Sequence, residues 1–586
     1  MYRIYSIISI FLTVLLAGCD TWSDGFNDNR NIPMALSNNP SSFMGAILNG
    51  PFRDNCEWVA LQSVQPVVGT IGRTRSLSQG GRHRAWHDFD GKVWPVCYPT
   101  LPNIKNVRNA AIASGQSQYI AVADIWESWI MFTLTTFYGD IPYFAAVMDT
   151  LVFTVDYDRQ ADIYPAILAK LKDAGDMIAA NPVDIDANSD YIYAGDIRKW
   201  QKFANTLRVR MCMHMYNASP DAAKGLLNEI LSDPQKYPVF RSNDDNCAMH
   251  YDGSSEDRSS EFYRSPGTWS ENCLVSNVLI ERLVTLRDPR LPLYAYPVKQ
   301  VHGEDNYIKP GNPGAVKYLG HIYGLTFSDG DATSWNGGLD YGSTVGPWFR
   351  HLDADGNRTD ETKLTPLSLV TYPELSFLLA EAAQRGIISG DPKTLYEEGV
   401  KAAFEQYGAT FSGDGYTGAY ADQGLNSADE YLRQPQVNFD GGRDKLTLIA
   451  EQKWIALFNV PFESYFEHRR TMLPKLSCAD LAATYSDGSG TRFPSRADYP
   501  ASEEQSNADG WAKARATGFD IPITGDNDRT LAKMWLLNNA ASPDLQMPTF
   551  KEPLRAQGEY PGGETFKAWY DAHWRELYWW EYEADK

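Results

Sequence analysis

Two stretches of the chain gather residue types that can grip a polyhydroxylated ring. In GGRHRAWHDFDGKVW (80–94), Arg84 and His87 flank Trp86, Asp88 and Asp90 follow, and Gly80 and Gly81 loosen the backbone ahead of them. In FSDGDATSWNGGLDYGSTVGPW (327–348), Trp335, Tyr341 and Trp348 stand among glycines and aspartates, with Asn336 directly after Trp335. A flat aromatic ring covers the C–H face of a sugar, while planar amides, carboxylates and guanidinium groups meet its hydroxyls. Trp86 and Trp335 are therefore expected to be stacking platforms, with Arg84, His87 and Asn336 as polar partners and Trp94 and Trp269 in reserve. An oligosaccharide fits this chemistry best. An oligopeptide, whose grooves also use Trp and backbone-pairing Asn, is the alternative ligand.

Other constellations offer chemistry that their surroundings oppose. His83 and His87 stand four apart beside Asp88, but Arg82 and Arg84 would repel a cation and the glycine pair discourages a helix. HLDADGNRTDE (351–361) alternates hard oxygen donors at Asp353, Asp355, Asn357, Asp360 and Glu361, as a calcium loop does. Gly356 falls at its fourth position and Arg358 at its sixth, so a plain Asp/Asn/Gly hairpin turn explains it equally well. No cofactor is otherwise expected. Glu463, Glu467, His468, Arg469 and Arg470 are dense enough to look catalytic, yet they continue from a helix and are expected to be ion-paired packing. GxSxG, HExxH and GxxxxGK[ST] are all absent, so no enzyme is expected. A glycoside hydrolase, which needs two facing carboxylates, and a helical-repeat protein adaptor are the lesser alternatives.

The elements that must hold these loops are helical. Residues 119–137 are apolar all round apart from Asp124 and Glu127, which predicts a helix buried in a large core, ended by Gly139 and Pro142. Helices are also expected over 161–180 and 197–217. The clearest pair lies at 372–407, with Leu375, Leu378, Leu379 and Ala382 on one member and Tyr396, Gly399, Val400, Ala403, Phe404 and Tyr407 on the other. Between them Gly390, Asp391 and Pro392 supply a stop, an N-cap and a first-turn proline. Small residues facing large ones imply tetratricopeptide-like packing. An amphipathic helix is expected over 444–459, with Leu446, Ile449, Trp454, Leu457 and Phe458 inward. Trp126, Trp129 and Trp200 share such apolar faces and belong to the core. Long Gly-, Asp- and aromatic-rich stretches at 50–100, 240–350 and 475–565 separate the helical blocks. The fold class is therefore mainly all-α: a helical scaffold of tetratricopeptide-like pairs displaying long irregular loops.

The ends of the chain address its location. A net charge of −21 over 586 residues excludes nucleic acid, whose phosphates require a basic surface. Residues 4–17, IYSIISIFLTVLLA, would rise about 21 Å as a helix, short of the ~30 Å hydrocarbon layer. With Arg3 before it and Ala17-Gly18 after it, this run has the form of a signal peptide. Leu16-Ala17-Gly18-Cys19 resembles the lipobox of bacterial lipoproteins, in which the cysteine becomes the lipidated first residue. The expected organisation is a lipoprotein signal peptide over 1–18, lipidated Cys19 with a flexible tether over 19–39, and one body over 40–586. Cys56, Cys97, Cys212, Cys247, Cys273 and Cys478 show no CxxC or zinc spacing, and Cys212 reads as a small core residue.

Several segments carry a family resemblance jointly: the lipobox, FYGDIPY (137–143), KWQKFANTLRVRM (199–211), LRDPRLPLYAYP (286–297), TYPELSFLLAEAAQRG (371–386), LIAEQKWIALFNVPFESYFEHRRTMLP (448–474) and FPSRADYPASEEQSN (493–507). In this order they resemble the SusD/RagB family of nutrient-binding outer-membrane lipoproteins of Bacteroidetes-type bacteria, nearest to its SusD-like 2 branch. The resemblance implies a single α-rich fold with tetratricopeptide-like units. It also implies a surface-exposed lipoprotein, held to the outer membrane by its lipid, that binds a nutrient and sits as a lid on a SusC-like TonB-dependent transporter barrel. Binding sites of this family lie in variable loops, so the motifs themselves locate no ligand contact.

Overall fold

The computed structural model describes residues 38–51, 64–73, 93–147, 155–264, 273–299, 318–321, 342–411, 425–479, 492–500, 502–519, 521 and 532–550. An array of packed helices begins with α1 (Ser41–Pro51), which lies on α2 (Leu101–Ser114), and α2 lies on α3 (Ser117–Tyr138). The central helix α3 is buried over nearly its whole length, as its composition requires. Its two acids do not break this rule. Arg108 pairs with Asp124 at 2.6 Å and with Glu127 at 2.7 Å, and Lys170 closes on Glu127 from the other side. Gly139, at φ +89°, ends the helix. Asp140 then accepts the backbone N–H of Gln160 at 2.8 Å and so fixes the start of α4 (Gln160–Ala180).

α4 packs between α3 and α5 (Ile197–Met215), and α6 (Pro220–Ser232) leans on α5. A shorter helix, α7 (Asn277–Thr285), follows. The pair α8 (Tyr372–Gln384) and α9 (Pro392–Gln406) is the most intimate of all. A Cβ on Gly399 would stand 2.8 Å from the Phe377 ring, so only glycine lets the two helices touch there. This is the expected small-against-large packing. Asp391 caps α9 by accepting the N–H groups of Lys393 and Thr394. The glycine just past α8 is Gly386, at φ +70°, not Gly390, which lies within the connecting loop.

α10 (Lys445–Ala456) departs from expectation in two ways. It stops before Leu457, and it is buried all round rather than amphipathic, with Glu451, Gln452 and Lys453 inside and Leu446 only half-buried. Ion pairs make this tolerable: Arg282 meets Glu451 at 2.6 Å, and Lys453 meets Glu381 at 3.2 Å. After it come α11 (Glu463–Thr471) and α12 (Ala508–Ala516).

Among the described residues strand is confined to three two-stranded pairs: β1 (Ile71–Arg73) with β3 (Cys273–Val275), β2 (Cys247–Met249) with β4 (Leu367–Val370), and β5 (Cys478–Ala479) with β6 (Thr549–Phe550). One apolar cluster runs from Phe43 to Met547 and includes Trp126, Trp129, Trp200 and Trp454. Cys97, Cys212 and Cys247 are buried free thiols, Cys273 is buried too, and burial pushes Cys212 up to about 12. No described helix is long and apolar enough to cross a membrane.

Candidate ligand-binding cleft

Trp86, Arg84, His87, Trp335, Asn336, Trp269, His83 and Cys19 lie outside the described residues. Trp94 is buried, edge-on to Tyr138 at 5.1 Å and beside Tyr98 at 4.8 Å, so it pins the body rather than facing a ligand. The 351–361 segment forms a hairpin turn bridged between Leu352 and Arg358, with Gly356 at φ +84°. The Asp353 carboxylate accepts the N–H groups of Asp355 and Asn357 at 2.9 and 2.8 Å, which draws its pKa below the usual value. Asp360 holds Lys363 at 2.9 Å, and Glu361 stands 3.5 Å from His351.

The acid-rich segment of α11 is interior. Arg210 forks onto Glu374 at 2.6 and 2.5 Å, and His214 meets Glu463 at 2.8 Å. Arg470 bonds Glu381 at 2.8 and 2.6 Å and Glu467 at 2.8 and 2.7 Å, and Lys453 joins both acids. Burial would raise the Glu381 carboxyl, but Arg470 and then Lys453 outweigh it and hold the group well below the usual range. His214, Glu463 and Glu467 bring ligand-type atoms within 4.8 Å of one another. The neighbouring Arg210, Lys453 and Arg470 already supply the compensating positive charge, so this cluster is ion-paired packing, as expected from its sequence.

A wide cleft opens elsewhere. It has a volume of about 750 Å³ and is assembled from four distant parts of the chain: the 190–194 loop with Lys199 on α5, the 243–252 segment, the Trp348–Ser368 region, and the C-terminal end of α9. Its floor is the β2–β4 ribbon. Ala248 stands opposite Ser368, and both line the cleft, while the flanking Cys247, Met249, Leu367 and Leu369 are core residues. Small side chains at these two positions leave the space open.

The first wall is a locked loop. Asp190 accepts the N–H groups of Ile192, Tyr193 and Gly195 at 3.0, 3.1 and 3.0 Å and the indole N–H of Trp200 at 2.8 Å. Gly195 sits at φ +91°, where a Cβ would meet the Ile185 carbonyl oxygen at 2.5 Å. Tyr191 is thereby held at the cleft with Arg258 over its ring at 4.8 Å, and Arg258 in turn pairs with Asp252 at 2.5 Å. The Tyr193 hydroxyl donates to the Asp245 carbonyl at 3.1 Å, and the His250 N–H donates to the Tyr191 carbonyl at 2.9 Å, which ties this wall to the next.

On the opposite side the half-buried Trp348 rests edge-on against Tyr407 at 5.3 Å. Asn243 links the remaining lip by donating to the Ala402 carbonyl at 2.9 Å and to Glu405 at 3.3 Å. Asp244 and Glu405 are exposed there. Burial lowers the His250 pKa from its ordinary value, with Asp190 opposing. Gln406 Oε1 is buried at the cleft without a hydrogen-bond partner among the described residues. Aromatic rings, amides and carboxylates thus converge on one open recess, the donor set that sugar hydroxyls and ring faces require.

Of these residues, sequence reasoning reached only Trp348. SDYIYAGD (189–196) and DDNCAMHYDGSSED (244–257) carried a signal in their paired tyrosines and clustered acids, but nothing local shows that they meet.

A family model described as starch-binding and associating with the outer membrane matches residues 34–500. The chain belongs to the SusD-like family. Solved structures agree on the fold: a chitin-binding protein is 27% identical, covering 85% of this chain and 99% of its own at a TM-score of 0.65. A SusD homologue from Bacteroides fragilis is 23% identical over 86% of this chain and 100% of its own, with a TM-score of 0.62. A chitin-binding SusD homologue from Flavobacterium johnsoniae is 22% identical over 85% of this chain and 98% of its own, with a TM-score of 0.63. Comparison with curated proteins finds no match. The sequence resemblance and the mainly helical fold class therefore hold, and with them the placement in an outer-membrane-associated family.

Proposed function

We propose that this SusD-like protein captures an oligosaccharide at the cell surface and hands it, uncleaved, to a SusC-like TonB-dependent transporter barrel. Lipidated Cys19 and the tether behind it hold the body at the outer leaflet, and the body closes over the barrel as a lid. The observation that carries the glycan reading is the 750 Å³ cleft, where Tyr191, Tyr251 and Trp348 meet amides and carboxylates on a floor of small residues. A chitin-binding relative at 27% identity supports the same ligand class. Packing of the Glu463–Arg470 segment into a charge-balanced interior supports binding without catalysis. Calcium is not part of the proposal, because Asp353 already spends its carboxylate on its own turn.

The test is incubation with malto-, chito- and xylo-oligosaccharides and with a mixed peptide digest, followed by calorimetry and chromatography of the recovered ligand. One glycan should bind and return unchanged. A shortened product would establish a hydrolase, and binding of the peptides alone would replace the glycan with an oligopeptide.

A further inference from the structure

The charged groups of the cleft are not balanced, and their imbalance lies on one lip. On the loop side, Asp190 spends its carboxylate on three backbone N–H groups and an indole, and Asp252 is paired with Arg258 at 2.5 Å. On the α9 side, Asp244 and Glu405 are exposed, and neither has an ion-pair partner among the described residues. Asn243, which precedes Asp244 and bonds Glu405 at 3.3 Å, keeps the two acids on the same lip. Against them stands the single ammonium of Lys199 on α5, which also forms no ion pair among the described residues. A chain of net charge −21 adds a background field of the same sign.

We propose that Asp244 and Glu405 are specificity-determining residues that make the cleft reject polyanionic glycans, so that its ligand is an oligomer of uncharged sugars. This rests on the glycan reading above. At about 6 Å in a water-like medium, each like-charge pair is worth a factor of about 3 in affinity, and two carboxylates facing a uronate a factor of about 10. Hydroxyls of neutral sugars meet the same two carboxylates as hydrogen-bond acceptors, so these groups discriminate by charge without blocking the recess.

The experiment is calorimetry of the intact protein with maltohexaose, chitohexaose and hexagalacturonate, repeated on the double variant Asp244→Asn, Glu405→Gln and in about 0.5 M NaCl. At least one neutral hexamer should bind more tightly than hexagalacturonate. The ratio of neutral to anionic affinity should fall about tenfold in the variant and also narrow in salt. If the wild type binds hexagalacturonate as tightly as the neutral hexamers, or if the ratio is unmoved in the variant, the charge-selection proposal fails while glycan capture stands. If none of the three hexamers binds and the xylo-oligosaccharides do not bind either, both readings fall.

Discussion

Replacing Arg470 with methionine tests whether the interior ion network holds α8, α10 and α11 together. The guanidinium makes four hydrogen bonds between 2.6 and 2.8 Å, two to Glu381 and two to Glu467. Without it, Lys453 alone faces both carboxylates, with Arg385 reaching only Glu381 at 2.9 Å. Stripping one partner from a buried pair costs about 3–5 kcal/mol, because a charge is left inside without compensation. Unfolding entropy near 2.1 cal/mol/K per residue gives about 1.2 kcal/mol/K for 586 residues, so the thermal midpoint should drop only about 2–4 °C. Urea unfolding is the sharper assay. Adding Glu467→Gln should recover at least about 1 kcal/mol in a double-mutant cycle.

The pH dependence has a definite sign. The Glu381 and Glu467 carboxyls lie below their usual 4.5, so between the depressed and usual values the folded state holds fewer protons than the unfolded one. Their contribution is complete above 4.5 and is lost as pH falls, so the gap between wild type and variant should narrow from about pH 7 to about pH 3. A loss under about 1 kcal/mol, constant with pH, would mean that water reaches the network and that the burial argument is wrong.

Gly399→Val should destabilise by about 2–3 kcal/mol in urea, because even its Cβ falls 2.8 Å from the Phe377 ring. Trp348→Ala should weaken oligosaccharide binding by about 1–2 kcal/mol in calorimetry, and an unchanged isotherm would remove that ring from the site. Cys19→Ala should leave the circular dichroism spectrum intact and shift the protein from the membrane fraction to the soluble one. Trp86→Ala should cost about 1–3 kcal/mol of ligand binding in calorimetry, and an unchanged isotherm would remove it from the site.

Helices were legible wherever apolar spacing and end signals coincided. The α8–α9 pair shows this, since Asp391 and Pro392 mark a cap that the backbone uses and Gly399 marks a contact that it makes. α10 departs from the amphipathic expectation because Glu451 and Lys453 look like a solvated face, and their burial rests on ion pairs with Arg282 and Arg443 and with Glu381 and Glu467 that spacing does not announce. The α11 acids are only partly legible as packing: Glu467 has Arg470 three residues on in its own segment, whereas the partners of Glu463 are His214 and Arg210 on α5. The cleft was not legible. Trp348 advertised itself among glycines, but Tyr191, Asp244 and Gln406 are separated by long stretches of chain. Asp190 was invisible as an organiser, since an aspartate before two tyrosines does not announce four hydrogen bonds.

The pleat of the short β2–β4 ribbon has one more consequence. Ala248 and Ser368 face outward as a cross-strand pair, while the residues on either side of them fill the interior. Ser368 is half-buried, so a bulkier residue there would raise the base of the recess, whereas Ala248 is buried at 6% exposure and has less room to grow. The depth of the recess can therefore change through position 368 while the core residues beside it, Leu367 and Leu369, stay as they are.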